Sequence, residues 1–219
     1  MIDNRQHFID DLRILNEKVQ HMGSEILETY KDLLITCNKR DLVMAARIIE
    51  KDKLINEMEI SINVDAYLLI AKQCPVATDL RRIITALKIS NELERIGDYA
   101  VNISKYIIKT QNENGPFVES ISKLINHFLK MFTDIMLSFA NRDIELALNV
   151  AEQDSELDAQ YSTEVKQLIK IGRTSTDAEA EEAIRAIIIL KQIERAGDHV
   201  TNIAENIVYL VNGKRVELN

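Results

Sequence analysis

Apolar residues recur along this chain in alternating steps of three and four, and the pattern fills six long stretches. Phe8, Leu12, Leu15, Val19, Met22 and Ile26, then Leu33 and Cys37, make up the first. Such spacing gives an α-helix one apolar face. No proline interrupts it, which predicts a helix of about 35 residues, about 50 Å long. Asn38-Lys39-Arg40-Asp41 follows as a short turn, with Asp41 placed to cap the next helix. The second stripe starts at Leu42, Ala45 and Ile49, then meets Asp52 and Asn56. Cys74-Pro75 ends it, because a residue before proline leaves the helical region. The third carries Ile83, Leu87, Ser90, Glu94, Gly97 and Val101, so Glu94 occupies a seam position where an apolar residue belongs.

Asn112-Glu113-Asn114-Gly115-Pro116 is the clearest break in the chain. The pattern then restarts. Ile121, Ile125, Phe128, Phe132, Ile135 and Phe139 form a fourth stripe, and Asn141-Arg142-Asp143 repeats the earlier turn. The fifth runs Ile144, Ala147, Ala151, Asp154, Asp158, mirroring Leu42, Ala45, Ile49, Asp52, Asn56. Thr176 with Glu179 makes a capping box before the sixth helix, and Gly213 marks its stop. The expected fold is all-α: two pseudo-symmetric antiparallel three-helix bundles with short connections, over residues 1–112 and 117–214.

The duplication is sharpest at Glu94-Arg95-Ile96-Gly97-Asp98 and Glu194-Arg195-Ala196-Gly197-Asp198, one hundred positions apart. Asn102-Ile103 likewise recurs as Asn202-Ile203. The spacing puts Glu94 and Asp98 on one helix face, about 5–6 Å apart at Cβ. Carboxylates that close, inside a seam, repel unless a cation compensates them. One reading is an oxygen-ligand metal site in each half. Asp52, Asn56, Glu94, Asp98 and Asn102 would form the first, and Asp154, Asp158, Glu194, Asp198 and Asn202 the second. The competing reading is an ion-pair network through Arg95 and Arg195. A third leaves the acids in solvent. Gly97 and Gly197, each unfavourable in mid-helix by about 1 kcal/mol against Ala, point to close approach by another helix or a ligand.

Composition narrows the function. With only six Gly and two Pro, the chain favours long helices over sheet. A net charge of −8 argues against nucleic acid as a main partner. No apolar run is long enough to span a membrane, and the N-terminus lacks a signal-peptide core, so a cytoplasmic protein without direct membrane insertion is expected. Cys37 and Cys74 read as small buried hydrophobes in a reducing compartment. His199 follows Asp198 but points about 100° around the helix, which makes it a surface or supporting residue. The Glu-x-x-His pairs of ferritin-like bundles, the phosphate-binding glycine loops and the nucleophile elbow are all absent from the sequence.

At these motifs the chain resembles the PhoU family of bacterial and archaeal phosphate-signalling regulators. The resemblance rests on Pro75-Val76-Ala77-Thr78-Asp79-Leu80-Arg81, on the doubled Glu-Arg-x-Gly-Asp motif, on Thr201-Asn202-Ile203-Ala204-Glu205, and on Tyr209-Leu210-Val211-Asn212-Gly213. It implies two three-helix bundles and no enzymatic activity. The expected role is negative regulation, as an adaptor between the ATPase subunit of a phosphate ABC transporter and a phosphate-sensing histidine kinase where one exists. It also implies a homodimer, and metal ions (iron, zinc, manganese or magnesium) held by the repeated acidic motifs. Asn56 stands where the family pattern has an acid, which weakens the first site relative to the second. The alternative function is a carboxylate-bridged iron-binding or iron-storage bundle.

Overall fold

The structure is a computed structural model, and it describes residues 2–110, 118–174 and 176–218. Among the described residues there are six helices: α1 (Ile2–Lys39), α2 (Leu42–Gln73), α3 (Ala77–Thr110), α4 (Val118–Asn141), α5 (Ile144–Gly172) and α6 (Asp177–Asn212). The expected break at Asn112-Glu113-Asn114-Gly115-Pro116, with the boundary drawn there, lies outside the described residues.

The turns form as their residues dictate. Asp41 Oδ1 accepts from Met44 N, and Asp143 Oδ1 from Leu146 N, each at 3.0 Å. The residues before these caps, Arg40 and Arg142, both take left-handed backbone, at φ 54° and 56°. Thr176 and Glu179 close the capping box of α6, and Gly213 ends that helix at φ 72°.

Helices α1, α2 and α3 pack together, as do α4, α5 and α6. Cross-links fix the directions. Lys18 reaches Asp65 and Lys51 reaches Glu25, so α2 runs antiparallel to α1. Asp134–Gln153 and His127–Gln160 do the same for α4 and α5. The two bundles join along α1–α4 and α3–α6. Tyr30 of α1 donates to the Ile96 carbonyl of α3 at 3.0 Å, and its ring lies 4.2 Å from Phe128 of α4. One apolar cluster therefore runs through both halves.

The α1 and α4 stripes are buried throughout, as the sequence pattern predicts. On α2 the buried face is rotated from the predicted one: Leu42 is exposed, while Ile48, Ile55 and Ile62 are buried. Helix α2 must cover both α1 and α3, and that wider arc moves its centre by about one position. Cys37 is buried, and burial pushes its thiol up to about 12. Cys74 is exposed, contrary to expectation, because it is the left-handed cap of α2 at φ 44°, ahead of Pro75.

Candidate functional site

In the second half, the α5–α6 contact sets the geometry. Gly197 lies so close to α5 that a Cβ there would come within 2.7 Å of Asp154 Oδ1 and 2.6 Å of Leu157 Cδ2. The missing side chain lets the Asp154 carboxylate reach the α6 backbone. Asp154 is 5% exposed, and its Oδ1 has no hydrogen-bond partner. Burial pushes its pKa up to about 6, and the charges of Asp158, Asp198 and Glu194 push the same way. The Thr201 hydroxyl alongside opposes the shift, although its Oγ1 and Asp154 Oδ1 do not complete a hydrogen bond of proper geometry.

One turn before Gly197, Glu194 Oε1 pairs with Lys191 Nζ at 2.5 Å, while its Oε2 is buried and unpartnered. The Lys191 ammonium stands 5.5 Å from the Tyr161 ring centroid. Burial disfavours that charge, but the Glu194 carboxylate outweighs it and the pKa is raised. Directly after Gly197, and one turn after Glu194, Asp198 is raised by burial, then by Glu194 and Asp158. Asp158 is itself exposed. The compensating side chain in this half is therefore Lys191, three residues before Glu194, and not Arg195, which is exposed. The i, i+3 spacing of Lys191 and Glu194 was a readable signal for it.

The first half repeats this more loosely. Asn56 Nδ2 donates to Asp52 Oδ2 at 3.4 Å, leaving Asp52 Oδ1 and Asn56 Oδ1 buried without partners. Burial and then Asp98 raise the Asp52 pKa. The same two causes raise Glu94, against Arg95. Arg95 lies 3.6 Å from Glu94 and 3.8 Å from Asp98, on a side chain that is 55% exposed, so its compensation is weak. Gly97 has more room than its counterpart, since a Cβ would lie 3.3 Å from Ile55 Cγ2.

The two asparagines behave differently. Asn102 is exposed, while Asn202 turns away from the acids and donates to Glu92 Oε2 at 3.1 Å. His199 Nδ1 reaches the same oxygen at 2.6 Å, leaving Nε2 to face the Tyr99 hydroxyl at 3.4 Å. His199 is therefore half-buried in a polar link between α3 and α6. Sequence alone does not reveal Glu92, because its partners lie in the other half.

What these groups offer chemically is oxygen donors: orphaned carboxylate oxygens in both halves, those of Asp52 and Asp154 on groups whose pKa is raised chiefly by burial. That donor set fits a hard or intermediate cation. As the side chains stand, no three His, Cys, Asp or Glu among the described residues close to ligating distance of one point. No helix among the described residues is long and apolar enough to cross a membrane.

Comparison with known proteins gives one consistent result. The sequence model for the PhoU domain matches residues 19–107 and again 121–207. A phosphate-specific transport system accessory protein PhoU homolog of Clostridium acetobutylicum is 34% identical over 217 residues, covering 98% of this chain and 99% of that one. The PhoU accessory protein of Escherichia coli is 32% identical over 208 residues, covering 94% and 86%. The crystal structure of the phosphate transport system regulatory protein PhoU from Streptococcus pneumoniae superposes with a TM-score of 0.89 at 28% identity, over 96% of this chain and 99% of that one. PhoU from Pseudomonas aeruginosa also gives 0.89, at 30% identity over 94% and 100%.

Proposed function

The chain belongs to the PhoU family, and on that premise we propose that it is a non-enzymatic negative regulator of phosphate uptake and phosphate-starvation signalling. It acts from the cytoplasm by contact with the ATPase subunit of a phosphate ABC transporter and, where one exists, with a phosphate-sensing histidine kinase. The observation that carries this reading is similarity over the length of both halves to accessory proteins of phosphate-specific transport systems. A rigid helical body that prefers one state of its partner biases that partner without chemistry of its own.

Each acidic group supports a metal ion as part of the docking body. Asp154, Asp158, Glu194 and Asp198 would hold it in the second half, and Asp52, Asn56, Glu94 and Asp98 in the first. Burial and then mutual repulsion raise Asp52, Glu94, Asp154 and Asp198, and a bound cation would offset the repulsion. Side-chain rotation would bring the oxygens together, and the all-acid second set would bind more strongly than the first. Iron, zinc, manganese and magnesium all accept such donors.

A deletion strain tests the regulatory reading. Phosphate-starvation genes should stay active in phosphate-rich medium, and the wild-type gene should restore repression. The tagged protein should also co-purify with the transporter ATPase subunit. Normal repression in the deletion strain, or no ATPase recovered under either phosphate condition, would count decisively against it.

A further inference from the structure

The end of the molecule formed by the α6 C-terminus also holds the α3 N-terminus and the α4–α5 turn, because α3 and α5 both run antiparallel to α6. Arginines gather there. The Arg81 and Arg215 guanidiniums stand 5.8 Å and 6.0 Å from the centroid of one ring, Tyr209. Gly213 leaves the space for Arg81, since a Cβ there would lie 2.5 Å from Arg81 Nη1. On the next residue, the Arg82 Nε is buried without an acceptor. Asp79 approaches Arg82 Nη1 only to 3.7 Å. Arg142, carried on the left-handed turn residue before the α5 cap, adds like charge. Burial, then repulsion by Arg142, lowers the Arg82 pKa. Among the described residues no carboxylate forms an ion pair with Arg81, Arg142 or Arg215.

The other half does not share this feature. Ala77-Thr78-Asp79-Leu80-Arg81-Arg82 corresponds, one hundred positions on, to Asp177-Ala178-Glu179-Ala180-Glu181-Glu182. Duplication keeps the seam acids in both halves but reverses the charge here, from two arginines to two glutamates. Helix packing does not require that reversal, because none of these four side chains is fully buried. In a chain of net charge −8, four guanidiniums that have one ion-paired carboxylate among the described residues, Asp79, repel one another until an anion neutralises them. A tetrahedral dianion accepts from several guanidinium forks at once, whereas a single carboxylate satisfies one.

We propose that Arg81, Arg82, Arg142 and Arg215 form a binding site for a phosphate group. The inference uses none of the acidic residues and no protein partner, so it stands apart from the regulatory reading. The test is calorimetric and thermal titration of full-length, chelator-treated protein with inorganic phosphate at fixed ionic strength. Chloride and acetate serve as comparators. Phosphate should give saturable binding and raise the Tm, with no matching effect from acetate. Arg82→Gln and Arg142→Gln should each weaken binding about tenfold, and Arg195→Gln, on the exposed face of α6 away from this end, should leave it unchanged. Arg142 lies in an exposed turn, so its variant keeps the test decisive if Arg82→Gln fails to fold. A nucleoside monophosphate that binds more tightly than inorganic phosphate would make the ligand the phosphoryl group of a larger molecule. The reverse order would make it free phosphate, and both retain the site. No saturable binding in millimolar phosphate, an equal response to acetate, or full binding by the Arg142 variant would overturn the proposal.

Discussion

At Gly197 the helix has no room for a methyl group. Mid-helix Gly→Ala gains about 1 kcal/mol of helix propensity, but here the new Cβ would press on Leu157 and Asp154 at 2.6 Å and 2.7 Å. Overpacking of that kind costs about 1–3 kcal/mol and outweighs the gain. At Gly97 the nearest atom is 3.3 Å away on the Ile55 side chain, so a small shift suffices. Gly197→Ala should lower the Tm while Gly97→Ala leaves it near wild type. Matching melting curves for the two variants would show that the close approach has no energetic weight. Asp154, which Gly197 admits, carries the second residue-scale prediction. Its pKa rises from 3.8 to about 6 on folding, chiefly by burial. The folded state then holds the proton more tightly than the unfolded chain. The stability this contributes is complete below about pH 4 and is lost as pH rises through about 6. In chelator-treated protein, Asp154→Asn should remove this loss and raise stability at pH 7 by up to about 3 kcal/mol. The measurement is Tm against pH for both proteins, and parallel profiles would refute the assignment.

At the scale of the elements, Thr176 gives a separate check. Its hydroxyl faces Glu179 N, and Glu179 Oε2 accepts from Thr176 N at 2.9 Å. Thr176→Ala should cost about 1 kcal/mol in a denaturant melt, and an unchanged midpoint would mean that α6 draws its start from tertiary packing alone. This cap was legible in the sequence because it is local, as were the caps at Asp41 and Asp143 and the stripes of α1 and α4. The phase of α2 was not. Its arc covers two neighbours, and periodicity does not say where such an arc is centred. On α3 the expected seam ran Ile83, Leu87, Ser90, Glu94, Gly97, Val101, yet Ala86, Ile89, Leu93, Ile96, Ala100 and Ile103 are buried as well. A helix that packs in its own bundle and also against the other half has two apolar stripes, and a single-seam reading recovers one. That is also why Glu94 sits on the flank of the buried arc, where desolvation raises its pKa without hiding it fully. The link from Glu92 to His199 and Asn202 depends on the α3–α6 contact, which no local pattern encodes.

The whole molecule poses the question of whether the two repeats fold as two domains or as one. Sequence symmetry suggests two, and packing argues for one. The apolar cluster is continuous from α1 to α6. Met136 of α4 fills the space over Gly23 of α1, where a Cβ would come within 2.8 Å of its sulfur. Tyr30 ties three helices at once, donating to the Ile96 carbonyl on α3 while its ring rests on Phe128 of α4. Separating the halves would expose the α1–α4 and α3–α6 faces together, a loss at the rate of about 25 cal/mol for each Å² of apolar surface. The full chain should therefore unfold in one calorimetric transition, with van't Hoff and calorimetric enthalpies in agreement. Tyr30→Phe separates the two possibilities. It removes one buried hydrogen bond and leaves the Ile96 carbonyl without that donor, at a cost of about 1–3 kcal/mol. If the molecule is one cooperative unit, the whole transition shifts down intact. If the halves are independent, the first-half transition moves and the second stays, so the single peak broadens or splits. A split peak would return the molecule to two domains joined by a surface contact.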